Sequence, residues 1–262
     1  MAQTKRRESF DKVAKIYDLA RPGYPKQLID DIVSLAKLKD SARILDIGIG
    51  TGQSTIPLAQ KGYAIHCIEP GENLIAIATA NLKIYPQVTF ETTTLEDWQL
   101  QENIFNLAIS AQAFHWVNRE IGFSKVAQAL KDKGHIALFW NFTPPTEAPV
   151  FAALQEAYQK YVPSKGNFPS IPSLIEKRRN WILNSNCFHS LVVREYPWSV
   201  EYSAEQYLNL LKTRTIYQKF TEEQRRGLSQ EIIEIVNSHG GCLTRSYLSV
   251  LFFTQKKIKK KK

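Results

Sequence analysis

The chain is poor in sulfur: three cysteines and one methionine occur in 262 residues. Cys67, Cys187 and Cys242 stand far apart, with no CxxC pair and no cysteine–histidine cluster. That spacing excludes a disulfide framework and a structural zinc site, so no metal is expected. A reducing, cytoplasmic setting is the natural expectation. The apolar runs are short and broken by charge, which leaves no stretch for membrane insertion. The first ten residues are basic and lack the apolar stretch of a secretory signal. One-sided charge is scarce outside the C-terminus. Lys256, Lys257, Lys259, Lys260, Lys261 and Lys262 supply six charges of the net +9, leaving +3 for the body. Residues 256–262 therefore read as a solvated basic tail, and no specific nucleic-acid partner is expected.

What is present is apolar residue at 44% of the chain, enough to fill a sizeable core. Residues 8–38 carry helical spacing, interrupted by the rigid turn Arg21-Pro22-Gly23-Tyr24-Pro25. From Arg43 onward, short apolar strands alternate with helices. Strands are expected at 43–47, 63–69, 88–92, 105–110 and 135–141, and helices after Pro57 and at 73–84 and 122–131. This rhythm predicts an α/β fold, with a Rossmann-like, mostly parallel sheet of seven strands and right-handed crossovers. After Asn141 the order changes. Helices are expected at 150–162, 172–185, 203–213 and 221–238, with strands at 191–202 and 246–255. The whole reads as one domain, residues 1–262: a ligand-binding core over about 40–141 and a helical cap over about 203–239, inserted before the last strand.

The central motif is Asp46-Ile47-Gly48-Ile49-Gly50-Thr51-Gly52, which follows a strand and opens a helix. Gly48, Gly50 and Gly52 allow a sharp turn and a close approach to a ligand, and the helix start offers unpaired N–H groups to an anion. The dinucleotide fingerprint would need a glycine where Gln53 stands. Asp46 would repel a pyrophosphate but suits an ammonium. Glu69 ends the second strand, 21 residues after Gly48, where nucleotide-binding folds carry the acid that grips a ribose. The expected ligand thus has a ribose and an amino-acid head without a pyrophosphate, which fits S-adenosylmethionine.

These residues resemble the class I S-adenosylmethionine-dependent methyltransferases, type 11 group. Asp46–Gly52 resembles the group's first motif, Thr94-Leu95-Glu96-Asp97 its adenine-binding segment and Phe105–Ser110 its fourth-strand motif. Asn106 departs from the group's usual Asp. Gln112-Ala113-Phe114-His115-Trp116, with Tyr17, Arg21-Pro22, Thr213 and Gly240-Gly241, is similar to trans-aconitate methyltransferase-like small-molecule enzymes. The resemblance spans about Phe10 to Gln255. It implies cofactor contacts from Tyr17, Arg21, Asp46, Gly48, Gly50, Gly52, Glu69, Leu95, Glu96, Ser110 and Gln112, with Arg21 facing the methionine carboxylate.

Methyl transfer from a sulfonium needs alignment and a dry site more than acid–base work. His115 lies at the sheet edge where a general base toward a hydroxyl would stand. A carboxylate acceptor would need none, and there His115 would only position. Trp116, Trp140, Phe142 and Arg214 are the expected acceptor-pocket residues. His66, His135, His189 and His239 are isolated. The expectation is methyl transfer to a small-molecule carboxylate or hydroxyl oxygen, by a monomer or homodimer. A cofactor-binding regulatory protein without catalysis, or a transferase acting on RNA or protein, stays open.

Overall fold

The computed structural model describes residues 10–161 and 169–258. Seven strands form one sheet: β1 (Arg43–Ile47), β2 (Ala64–Ile68), β3 (Val88–Glu91), β4 (Phe105–Ala111), β5 (Leu130–Phe142), β6 (Phe188–Ser203) and β7 (Cys242–Lys256). Their order is β3-β2-β1-β4-β5-β7-β6. The pairs β1/β2, β1/β4, β2/β3 and β4/β5 are parallel. The chain runs outward from β1 to β3, then returns to place β4 on the other side of β1. Ligands of open α/β sheets bind at such a reversal, outside the carboxyl ends of the strands.

The helices are α1 (Ala14–Ala20), α2 (Lys26–Ala36), α3 (Ile56–Gln60), α4 (Glu72–Asn81), α5 (Arg119–Ala129), α6 (Pro149–Tyr161), α7 (Ile171–Asn184), α8 (Ala204–Lys212) and α9 (Glu222–Ser238). Pro57 sits in the first turn of α3, the one part of a helix that tolerates a missing N–H. Pro197 falls within β6, which ends the sheet order, and an edge strand is where proline is tolerated. Both α8 and α9 open with capping boxes, Ser203 with Gln206 and Thr221 with Gln224.

Two compact units arise from an interleaved chain. The larger contains Gly23–Asn141, Pro172–Tyr196 and Ser249–Lys262; the smaller contains Met1–Pro22, Phe142–Ile171 and Pro197–Leu248. The larger unit's core joins Ile44, Ile65, Leu107, Ile109, Phe139, Leu251 and Phe253 to Leu28, Ile29 and Ile32 of α2. Four of the five β1 residues are buried, as expected of a strand covered on both faces. The smaller unit's core gathers Leu154, Tyr207, Leu208, Leu211, Leu228, Ile232, Val236 and Leu243. α8 and α9, which the sequence marks as a cap, belong to this second unit.

Several boundaries moved: α5 begins at Arg119, β6 at Phe188 and β7 at Cys242, each ahead of the expected start. α5 stops at Ala129 and β5 begins at Leu130, ahead of the expected strand start at residue 135. The reason is a register shift. Leu130 pairs with Phe105, while Lys133 adopts a positive φ of 64° just before pairing resumes at His135. The expected tail also starts too early, because Lys256 ends β7. Its ammonium donates to the Leu130 carbonyl (2.6 Å) and to Asn103 Oδ1 (3.2 Å). Residues 259–262 of the expected tail, like the first two residues of the expected N-terminal helix, lie outside the described residues. No helix among the described residues is long and apolar enough to cross a membrane.

Candidate cofactor and active site

The carboxyl end of β1 bends through three glycines with positive φ: Gly48 at 74°, Gly50 at 61° and Gly52 at 100°. Gly48 has a second requirement. A Cβ there would lie 2.4 Å from the Ala113 Cβ, so the bend passes against the loop that follows β4. The Gly48 amide donates to the Ile68 carbonyl (2.8 Å), which ties the bend to the end of β2.

Glu69 stands where β2 ends, 8% exposed. Its Oε2 accepts from the Gly50 amide (3.1 Å) and its Oε1 from the Gly71 amide (3.0 Å). Each carboxylate oxygen has a further lone pair. The two amides fix the carboxylate in place at the end of β2.

Asp46 is fully buried. Thr55 Oγ1 donates to its Oδ2 at 2.5 Å, while Oδ1 is buried with no hydrogen-bond partner among the described residues. Burial pushes the carboxyl up to about 7; the Thr55 bond opposes this and the Glu69 charge adds to it. A buried acceptor left without a donor is costly, and a cationic ligand group would relieve it.

The β4 side completes the edge. The Ser110 hydroxyl, wholly buried, donates to the Ile47 carbonyl (2.7 Å) and clamps β4 to β1 just before the glycine bend. Gln112 holds a positive φ of 57°, which is uncommon for a non-glycine residue. Its amide donates to the Phe139 carbonyl (3.0 Å), and its side chain donates to the Asn141 carbonyl (3.3 Å). A 3₁₀ turn over Phe114–Trp116 follows, unforeseen in the sequence. His115 Nδ1 accepts from Trp140 Nε1 at 3.2 Å, so neutral His115 carries its proton on Nε2. Trp140 is 1% exposed and packs under the Arg178 guanidinium at 4.6 Å. Leu95 is buried. Glu96 Oε1 accepts from the amide of Asn118, the N-cap of α5 (2.7 Å).

Asn141 is a residue the sequence reading missed. Its Nδ2 donates to the Gly23 carbonyl (3.0 Å), and its Oδ1 accepts from Ser249 (2.5 Å). It pins the Arg21–Pro25 turn's glycine and β7 to the end of β5. The signal available was a lone amide in an aromatic strand end. Asn106 accepts from the Arg43 amide (3.0 Å) and from Lys131 (3.2 Å), a strand-joining part at the other end of the sheet. His66 and His135 are framework residues beside aromatic rings, their pKa values lowered by burial.

Asp46, the three glycines, Glu69, Leu95, Glu96, Ser110, Gln112, His115, Trp116 and Trp140 thus all belong to the larger unit. Tyr17, Arg21, Phe142 and Arg214 belong to the smaller one. There Arg21 Nε donates to Thr213 Oγ1 (2.9 Å), Nη2 donates to the Thr213 carbonyl (3.3 Å), and the guanidinium lies 5.1 Å from the Tyr17 ring centre.

With that geometry in view, residues 44–134 match the sequence profile of the methyltransferase domain. This stretch is similar to methyltransferase domains. It contains the glycine bend, Glu69 and the whole β4 edge. An uncharacterized methyltransferase of Mycobacterium tuberculosis is 32% identical over 133 residues, 51% of this chain and 52% of that one. CRG1 of Saccharomyces cerevisiae, provisionally named an S-adenosylmethionine-dependent methyltransferase, is 30% identical over 153 residues, 57% of this chain and 52% of that one. The chain spans about half the length of these relatives. A solved structure from Anaeromyxobacter dehalogenans, provisionally assigned as a type II methyltransferase, superposes with a TM-score of 0.67 at 21% identity. It covers 90% of this chain and 97% of its own, which shows a methyltransferase-like fold extending well beyond residues 44–134.

Among the described residues, no group of histidines, cysteines and acids could hold a metal.

Proposed function

We propose that the chain is an S-adenosylmethionine-dependent methyltransferase acting on a small molecule at a carboxylate or hydroxyl oxygen. The observation that carries this reading is the Glu69 carboxylate, fixed by the Gly50 and Gly71 amides at the point where strand order reverses. The orphaned Asp46 Oδ1 supports the same ligand, because it provides a buried anion for an amino-acid ammonium.

When bound, the cofactor supplies an electrophilic methyl group on a sulfonium. Glu69 accepts hydrogen bonds from the two ribose hydroxyls, and the glycine bend removes the side chains that would stand in the way. Asp46 balances the ammonium charge. Leu95 and Glu96 face the adenine edge, and Gln112 shapes the loop beside the reacting end. His115 has its Nδ1 lone pair engaged by Trp140, so the neutral ring's Nε2 bears a proton rather than a lone pair. A donor orients an acceptor oxygen, whereas a general base needs a free lone pair. This favours an acceptor that arrives already ionised, such as a carboxylate.

Calorimetry with S-adenosylhomocysteine, with NAD as the control, tests the reading. Saturable heat is expected for the first alone, and Glu69→Ala should weaken it by at least about 10-fold, the loss of charge-assisted hydrogen bonds. No heat with folded wild-type protein would sink the proposal.

A further inference from the structure

The smaller unit holds a cluster that methyl transfer does not require. Arg245 is 8% exposed. Its guanidinium lies 5.9 Å from the Phe151 ring centre, 5.7 Å from Tyr207 and 6.0 Å from Tyr247. One Nη1–H donates to the Tyr207 hydroxyl at 3.1 Å, while Nε is buried with no hydrogen-bond partner among the described residues. The Tyr158 hydroxyl is likewise buried with no partner among the described residues. Arg214 follows α8 and feels the positive charges of Arg245 and Arg21; its pKa is lowered, first by burial and then by Arg245. Among the described residues no carboxylate pairs with Arg214 or Arg245.

Guanidinium groups gathered without a counter-charge are costly, most of all for the buried Arg245; Arg214 is half-buried. The open valences here are also of one kind. Arg214, Arg245 Nε and Tyr158 can all donate, and the Tyr207 oxygen already accepts from Arg245, so its O–H is left to donate. The Tyr202 and Tyr247 hydroxyls bond each other at 2.9 Å. A donor-rich cluster with surplus positive charge is complementary to an oxyanion, and the guanidinium fork matches its planar or tetrahedral oxygens.

We propose that Arg214, Arg245, Tyr158 and Tyr207 form a binding site for a small organic oxyanion, one bearing carboxylate or phosphate groups. The site stands whether or not a methyl donor is bound.

The test is calorimetry on the full chain with no methyl donor present, so its outcome is separate from that with S-adenosylhomocysteine. The probes are citrate, inorganic phosphate and the uncharged ester triethyl citrate. Saturable heat is expected with citrate or phosphate and none with the ester; whichever anion binds identifies the carboxylate or the phosphate class. Arg214→Gln should weaken binding by roughly 10- to 100-fold, and Tyr158→Phe, which removes only a hydroxyl, by roughly 2- to 10-fold. In anion-free buffer Arg214→Gln should melt no lower than wild type, since an uncompensated charge is removed. The anion that binds should raise the melting temperature of wild type more than that of the variant. Absence of heat with both anions overturns the assignment, as does wild-type affinity in both variants. A large drop in the melting temperature of Arg214→Gln without anion would also overturn it, by making that arginine a packing residue.

Discussion

Burial makes Asp46 hold its proton to a higher pH than a free carboxyl would. Its carboxyl, ordinarily near 3.8, is raised to about 7, chiefly by burial. Between those values the folded chain keeps a proton that the unfolded chain has released. Stability from this group is therefore greatest at low pH and falls as pH rises to about 7, beyond which the cost of burying the carboxylate is complete. A ligand ammonium beside Asp46 would draw the proton off. S-adenosylhomocysteine affinity should thus rise from pH 6 to pH 8, with a proton released at pH 6. Calorimetry in two buffers of different ionisation enthalpy measures that proton, and Asp46→Asn should abolish it. Proton release unchanged in the variant would place its source elsewhere. At Gly48 the prediction is steric. Gly48→Ala would put a Cβ against Ala113 at a positive φ, costing about 1–3 kcal/mol of strain unless the bend moves. Urea unfolding should show the loss, together with weaker binding. Asp46, Gly48 and Glu69 were legible in the sequence because acids and glycines at the ends of the first two strands form a recognisable pattern. Asn141 and Thr55 were not, because their partners lie 118 and 9 residues away and no periodicity marks them.

Elements were legible where one period dominated. β1 and β4 begin where expected, since apolar runs bounded by turn residues leave little choice. β5 was mistaken at its start because Lys131-Asp132-Lys133-Gly134 has the composition of a helix end, while the structure bulges it into the strand. The short 3₁₀ turns at Phe114–Trp116 and Tyr217–Lys219 are too brief for any period to show. Among the helices, α9 rests on its cap: the Gln224 amide donates to Thr221 Oγ1 (3.2 Å), and the Thr221 amide donates to Gln224 Oε1 (2.9 Å). Thr221→Ala should cost about 1 kcal/mol. Hydrogen exchange should show faster opening of the first turn of α9, with little change in β1–β4.

At the scale of the molecule, a mostly parallel seven-stranded sheet followed from alternating strands and helices, but the strand order and the partition into two units did not. Their cores draw on segments far apart in the chain, which composition and local pattern do not reveal. Residues 23–141 hold every α/β motif the sequence displayed, yet the core they build also needs Tyr196, Leu251 and Phe253. A fragment ending at Asn141 would lack β7, the neighbour of β5 in the sheet, and leave an unpaired edge. It is expected to aggregate or to stay loosely packed, and a cooperative melt with native near-ultraviolet dichroism would contradict this. The backbone changes allegiance five times: at 22/23, 141/142, 171/172, 196/197 and 248/249. No single scission can release either unit intact. A protease nick at any one place between Leu28 and Leu251 leaves both daughter pieces holding parts of a common core, so separating them requires melting that core.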